Sequence, residues 1–367
     1  MQTNAAESSI QLPISDKCLQ RTPGDEAAVS AALLQPISGG SDVIAEYEAE
    51  LAKVFGQKQA IAVSSGGAAL IAALYAAGVR AGHEVVLPPT CPLCTVYPIM
   101  FLGATPVFCD TYADNFGVDV EDLARVVTPR TRAVIDVPMW GYPTPVQRLR
   151  DAARNLGIAV VLDLAHSHGA QIEGRDLSVY GDLSCYSTHE RKIISTGEGG
   201  FILTHDDRMA AIVRSYIKFG NLNGRDFGLN FKLSGVQAAL GKSRLAHLDA
   251  LLAKRRANAQ KIAAGIRRDG VRELEILPGS RPSYYFMMLR LSLEDNRGFI
   301  DYLDRNGIPS DIKRYGCKAL YEFPALKSYT RRCPKAEALL AGVTTLPVHP
   351  GIGDAEIQHM VSVINQY

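Results

Sequence analysis

The chain has 367 residues, 47% hydrophobic and 21% charged, so a large domain with a smaller one docked on it is expected. Lys and Arg number 39 against 38 Asp and Glu, a balance that leaves no basic footprint for nucleic acid or an anionic membrane surface. The longest apolar stretch, Ala68–Val79, is too short to span a bilayer, and the opening MQTNAAESSIQLP lacks a basic start followed by an apolar block, so a cytoplasmic protein is expected.

Short apolar runs alternate with polar or Gly-rich breaks and helical patterns. The runs are Ala60–Val63, Glu84–Leu87, Thr105–Cys109, Ala133–Val137, Ile158–Leu162, Leu183–Tyr186 and Phe201–Thr204, with amphipathic stretches such as Val146–Leu156 between them. This alternation predicts an α/β fold with a mostly parallel, doubly wound sheet. Ligands then bind beyond the carboxyl ends of the strands. From about Asn230 the character changes. One long helix is predicted over Val236–Ala263, then a strand over Tyr284–Leu293 and helices over Arg297–Asn306 and Ala355–Ile364. The division is placed near residue 247: a large domain 1–247 with an amino-terminal arm 1–35, and a small α/β domain 248–367.

Four segments carry candidate chemistry. Val63-Ser-Ser65-Gly66-Gly67-Ala-Ala-Leu70 reads as a strand, a Gly-rich turn and an Ala-rich helix, whose free N–H groups suit a phosphate. It matches neither GxGxxG nor GxxxxGK[ST], which disfavours dinucleotides and nucleoside triphosphates. Cys91-Pro-Leu-Cys94 has CxxC spacing without the second pair a zinc site wants; a redox role and a reduced loop both stay open. Val160-Val-Leu-Asp163-Leu-Ala-His166-Ser-His168 ends a strand on a carboxylate. Asp163 reads either as the partner of a protonated nitrogen heterocycle or as a helix N-cap. Lys192 lies between Ser187 and the turn Gly197-Glu-Gly-Gly200. Alone it is a surface charge, but beside a phosphate-binding serine and a Gly-rich turn it reads as an imine-forming amine.

In this order the segments resemble the DegT/DnrJ/StrS family of sugar aminotransferases over nearly the whole chain. The family's SxHxxKxxxxGEGG pattern stands as Ser187 to Gly200, and its DAAHAHGA-like run as Asp163 to Ala170. Its GxNxRxxxxQAAxG run stands as Gly228-Leu-Asn230-Phe-Lys232 through Gln237 to Gly241, and Leu346-Pro-Val-His349-Pro350 also fits.

The resemblance implies the aspartate-aminotransferase-like fold (pyridoxal-phosphate fold type I), a mostly parallel seven-stranded sheet with a smaller carboxyl-terminal α/β domain. It implies pyridoxal 5'-phosphate held as a Schiff base on Lys192, with Asp163 on the ring nitrogen and His166 near the ring hydroxyl. Gly66, Gly67 and Ser187 would hold the phosphate, and Asn230 would reach the phosphate of the neighbouring subunit of a homodimer; the other reading of Asn230 is a cap on the long helix. His189, Lys232 and Tyr315 fall on the substrate side. The donor would be glutamate or glutamine, and the acceptor a keto-sugar, usually nucleotide-linked, or a cyclitol ketone.

The sequence also departs from the family. Gly67 replaces a Thr, Pro92 stands where an aromatic ring stacks on the cofactor, and Lys232 replaces an Arg. Tyr315-Gly-Cys317-Lys-Ala-Leu-Tyr321 replaces a YPxPLH run. The rival readings are a sugar dehydratase on the same fold, disfavoured by the intact Lys192, and a cofactor-binding sensor without turnover.

Overall fold

The computed structural model describes residues 13–18, 21–314 and 316–367. Seven strands form the main sheet: β1 Gln59–Val63, β2 Glu84–Leu87, β3 Thr105–Phe108, β4 Thr131–Asp136, β5 Ala159–Asp163, β6 Leu183–Ser187 and β7 Gly200–Thr204. Their order is β1-β7-β6-β5-β4-β2-β3. The pairs β3–β2–β4–β5–β6 are parallel, whereas β7 runs antiparallel to both β6 and β1. Each apolar run of the sequence is one of these strands. They read as unbroken runs because helices cover both faces, so neither face needs polar residues.

Helix α1, Gly66–Ala76, follows β1 and has seven buried residues, among them Ala68, Ala69, Leu70, Ala72 and Ala73. A helix apolar on nearly all sides belongs inside, and its small side chains let it lie close to the sheet. Helix α2, Leu93–Phe101, follows β2, and helix α3, Val146–Leu156, spans the predicted amphipathic stretch.

The single helix predicted over Val236–Ala263 is instead two, α4 Gly235–Leu245 and α5 Leu248–Gly265. No Gly or Pro marks the break at Ala246–His247, so no local signal in the sequence announces it. Packing makes it. Gly241 of α4 sits on the Tyr47 ring, and Arg244 is held by Asp25 and by the Ser195 carbonyl. In α5, Leu252 lies against Gly169, and buried Arg255 donates to the Tyr284 and Tyr285 carbonyls, both at 3.1 Å.

The carboxyl-terminal part holds an antiparallel sheet of β8 Val271–Glu273, β9 Met287–Leu291 and β10 Val343–Leu346. Helices α6 Asn296–Arg305, α7 Asp311–Arg314 and α8 Asp354–Gln366 accompany it. The strand predicted from Tyr284 starts only at Met287. Ser283 and Phe286 instead donate to the carbonyls of Gly141 and Trp140, which ties this segment to the loop after β4. Among the described residues no helix is long and apolar enough to cross a membrane.

Candidate functional site

Three strands of the main sheet end on one cavity. β5 ends on Asp163, β6 ends on Ser187, and β1 leads through Ser64 and Ser65 into α1. The cavity, about 310 Å³, is lined by Ser65, Gly66, Gly67, Cys94, Asp163, Ser187, His189, Lys192 and Glu198, with apolar neighbours. Thus Gly66, Gly67, Asp163, Ser187, His189 and Lys192, more than 120 residues apart at the extremes, share one wall as the sequence motifs suggest.

The turn at Ser65 has the geometry to take an anion. Ser65 caps α1 by accepting from the Ala68 N–H at 3.0 Å, and Ala69 N–H is satisfied by the Ser65 carbonyl. The N–H groups of Gly66 and Gly67 stand in the first turn, where no carbonyl four residues earlier can take them. Gly66 must be glycine, because a Cβ there would lie 2.8 Å from the Ser187 Cβ and close the cradle. Gly200, paired opposite Ser187 in the ladder, is equally confined: its Cβ would meet the Tyr186 carbonyl oxygen at 2.5 Å.

Asp163 is buried at 6% exposure, and burial raises its carboxyl above the ordinary range. The Thr95 hydroxyl, donating to Oδ2 at 2.7 Å, pulls the other way, as do the Ala165 N–H at 3.2 Å and the charge of Lys192. No helix starts after Asp163, so the N-cap reading falls away. A desolvated carboxylate whose hydrogen-bond donors among the described residues are neutral is suited to a cationic N–H from a ligand.

Lys192 sits on the loop between β6 and β7, its Nζ 5.0 Å from the centroid of the Tyr285 ring. Burial lowers its pKa first of all, while Cys94, Asp163 and Asp311 oppose the shift. A fraction of neutral amine at working pH is what a nucleophile or proton carrier requires.

Other predicted residues stand elsewhere. Pro92 immediately precedes α2 and lines an adjoining cavity, not the lysine cavity, although Cys94 lines both. His166 also lies off the wall. It stacks on Tyr285 with centroids 4.3 Å apart, takes the Trp140 N–H on Nδ1, and is held well below the usual histidine range by burial. His168 packs edge-on against Tyr186 and Phe201, so the two histidines do not converge on a common ligand.

Asn230 is exposed, and its Oδ1 accepts from Lys232 Nζ at 2.5 Å. It does not cap the following helix: Ser234 holds the cap position, its N–H donating to Gln237 Oε1 at 3.4 Å. Tyr315 lies outside the described residues. Cys91 and Cys94 are both free thiols. Two residues at the site were not expected from the sequence: Thr95, 68 positions from the carboxylate it donates to, and Tyr285, whose ring faces Lys192 Nζ and stacks on His166. No local motif marks either residue.

The DegT/DnrJ/EryC1/StrS aminotransferase family model matches residues 25–365. GDP-perosamine synthase of Caulobacter vibrioides is 29% identical over 342 residues, covering 90% of this chain and 91% of that protein. The dTDP-3-amino-3,4,6-trideoxy-alpha-D-glucose transaminase of Streptomyces venezuelae is 27% identical over 329 residues, covering 88% of this chain and 86% of that protein. The crystal structure of sugar aminotransferase CalS13 from Micromonospora echinospora is similar with a TM-score of 0.87 and 28% identity, over 96% of this chain and 99% of that one. With its site at the strand ends and its family pattern running nearly from end to end, the chain belongs to the DegT/DnrJ/EryC1/StrS aminotransferase family and is an aminotransferase.

Proposed function

We propose that this aminotransferase uses pyridoxal 5'-phosphate on Lys192 to move an amino group from glutamate or glutamine to a nucleotide-linked keto-sugar. The carrying observation is the joint placement of Lys192, buried Asp163 and the Ser65–Gly67 turn around one cavity. Those residues fit the cofactor: a phosphate suits the α1 turn, and a protonated ring nitrogen supplies a cationic N–H for buried Asp163, whose hydrogen bonds come from the neutral Thr95 hydroxyl and Ala165 N–H. The named relatives, which make perosamine linked to GDP and an amino sugar linked to dTDP, support the acceptor class.

When bound, the cofactor supplies an electron sink for the pair left when a substrate C–H bond breaks. The protein residues do the rest. Lys192 Nζ is the covalent anchor and the proton carrier, taking the proton from the donor carbon and delivering it again. Asp163 holds the proton on the ring nitrogen, and Thr95 keeps that carboxylate aimed. Gly66, Gly67 and Ser187 bind the phosphate. His189, 3.8 Å from Glu198 across Nε2 and Oε1, lines the same cavity with a partly exposed side chain and would face the substrate.

Mixing the purified holoprotein with single amino donors tests this reading by absorbance. Glutamate or glutamine should convert the lysine-bound cofactor band to the amine form, and one member of a panel of GDP-, UDP- and dTDP-linked 3- or 4-keto sugars and cyclitol ketones should restore it. A band inert to every donor overturns the assignment.

The working unit is a homodimer with a shared site. The run Gly228–Lys232 lies beside the phosphate turn, with the Phe231 carbonyl accepting from Ser64 N–H at 2.8 Å, while Asn230 faces outward. Asn230, free of capping duty, is placed to serve the neighbouring subunit's phosphate. Lys192→Ala and Asn230→Ala chains, each weak alone, should regain part of the activity when mixed into heterodimers. Heterodimers that form yet restore nothing defeat the shared site.

A further inference from the structure

Beside the lysine cavity, charged side chains from distant parts of the chain converge on one oxygen atom. Arg191, the residue before Lys192, donates through Nη2 to Asp16 Oδ2 at 2.6 Å. Arg314, at the end of α7, donates to the same oxygen through its own Nη2. Arg314 also donates through Nη1 to Asp311 Oδ1 at 3.0 Å, and Asp311 Oδ2 accepts from Trp140 Nε1 at 2.8 Å.

Trp140 and Arg314 line the adjoining cavity of about 200 Å³, which meets the lysine cavity at Cys94. Asp16 is delivered there by a strap, residues 13–18. The strap is tied to the carboxyl-terminal part by Ile14 N–H on the Gly307 carbonyl at 2.8 Å and by the Ser15 carbonyl on His349 Nε2 at 2.9 Å.

Asp16 satisfies this pair of guanidinium groups poorly. Both use a single one of its oxygens, and Arg191 Nε is buried with no hydrogen-bond partner among the described residues. A guanidinium fork binds a carboxylate best through two parallel bonds, one from Nε and one from Nη. The site therefore offers more donors than its present occupant uses.

We propose that Arg191 and Arg314 form the carboxylate subsite for the amino donor, and that Asp16 fills it as a built-in competitor until the donor's carboxylate displaces it. This rests on the aminotransferase reading. The charge balance favours exchange: when Asp16 swings away, two cations face Asp311 alone, and an incoming carboxylate restores neutrality. The position suits the donor, because Arg191 is covalently next to the lysine that must meet the donor's amino-bearing carbon.

The test uses the holoenzyme and glutarate, a dicarboxylate with no amino group, titrated calorimetrically. Asp16→Asn should bind glutarate about 3- to 10-fold more tightly, since the competitor is removed. Arg191→Gln and Arg314→Gln should bind it at least about tenfold more weakly, with the donor KM rising in parallel and the acceptor half-reaction unchanged. A strap that only staples the fold predicts the opposite: Asp16→Asn lowers the melting temperature and leaves glutarate affinity alone. That result, or a loss confined to the acceptor half-reaction, overturns the proposal. If wild type converts no donor, the aminotransferase reading has failed, and the glutarate titration still scores the subsite by itself.

Discussion

Lys192→Ala should abolish turnover while the chain still folds. Lys192 is half-buried in the cavity wall with Asp163 and Cys94, and in the proposed reaction its amine both anchors the cofactor and carries a proton. The proton-carrying role alone is worth roughly 10²- to 10⁴-fold, and loss of the anchor adds to it. Truncation removes a desolvated amine whose charged form burial already disfavours, so the cofactor-free variant should melt within about 2–4 °C of wild type. Borohydride treatment followed by peptide mapping checks the anchor: wild type should carry reduced cofactor on Lys192, and the variant on no lysine. A cofactor adduct that persists on another lysine would sink the assignment.

Asp163→Asn removes a charge and little else. The carboxamide oxygen can still accept from the Ala165 N–H, while its NH2 donates to the Thr95 hydroxyl, which turns from donor to acceptor, so the local turn should survive. What disappears is the anion that, in the proposed reaction, keeps a ring nitrogen protonated. Breaking a buried charge pair costs about 3–5 kcal/mol, so kcat/KM should fall roughly 10²- to 10³-fold.

Stability should move the other way in the cofactor-free protein. Burial raises the folded-state pKa of Asp163 above its unfolded value, so the folded chain holds that proton more tightly than the unfolded one. Wild type then loses stability as pH climbs from the ordinary aspartate range, near about 4, through the raised folded pKa. Asn cannot titrate. The melting temperature of the variant should therefore exceed that of wild type above this window and converge with it below. Activity within a few-fold of wild type would reduce Asp163 to a turn residue.

The chemistry of the site was legible wherever it lay within one stretch of chain. The segment from Ser187 to Gly200 carries its lysine, its serine and its Gly-rich turn together, because a strand end, a loop and the next strand supply all three. Asp163 was legible as a carboxylate closing an apolar run. Its role was not, since a helix cap looks the same until the backbone after it is seen to form no helix. Pro92 shows the opposite failure. Position along the motif put it over the cofactor, whereas just before α2 it lines the neighbouring cavity and Cys94 lines the lysine cavity in its stead.

By itself the sequence determined the seven strands, the crossover helices between them and the residues that end on the binding edge. Each of these is written in about ten residues of local periodicity and turn chemistry. Only the tertiary structure decided the break between α4 and α5, which Tyr47, Asp25 and Gly169 impose from elsewhere in the chain. It alone decided that Thr95 aims Asp163 across 68 positions and that Asp16 meets Arg191 across 175. The physical reason is the same throughout: backbone patterns repeat over a few residues and can be read locally, whereas a buried carboxylate takes whatever donor the packing of the whole chain brings within about 3 Å.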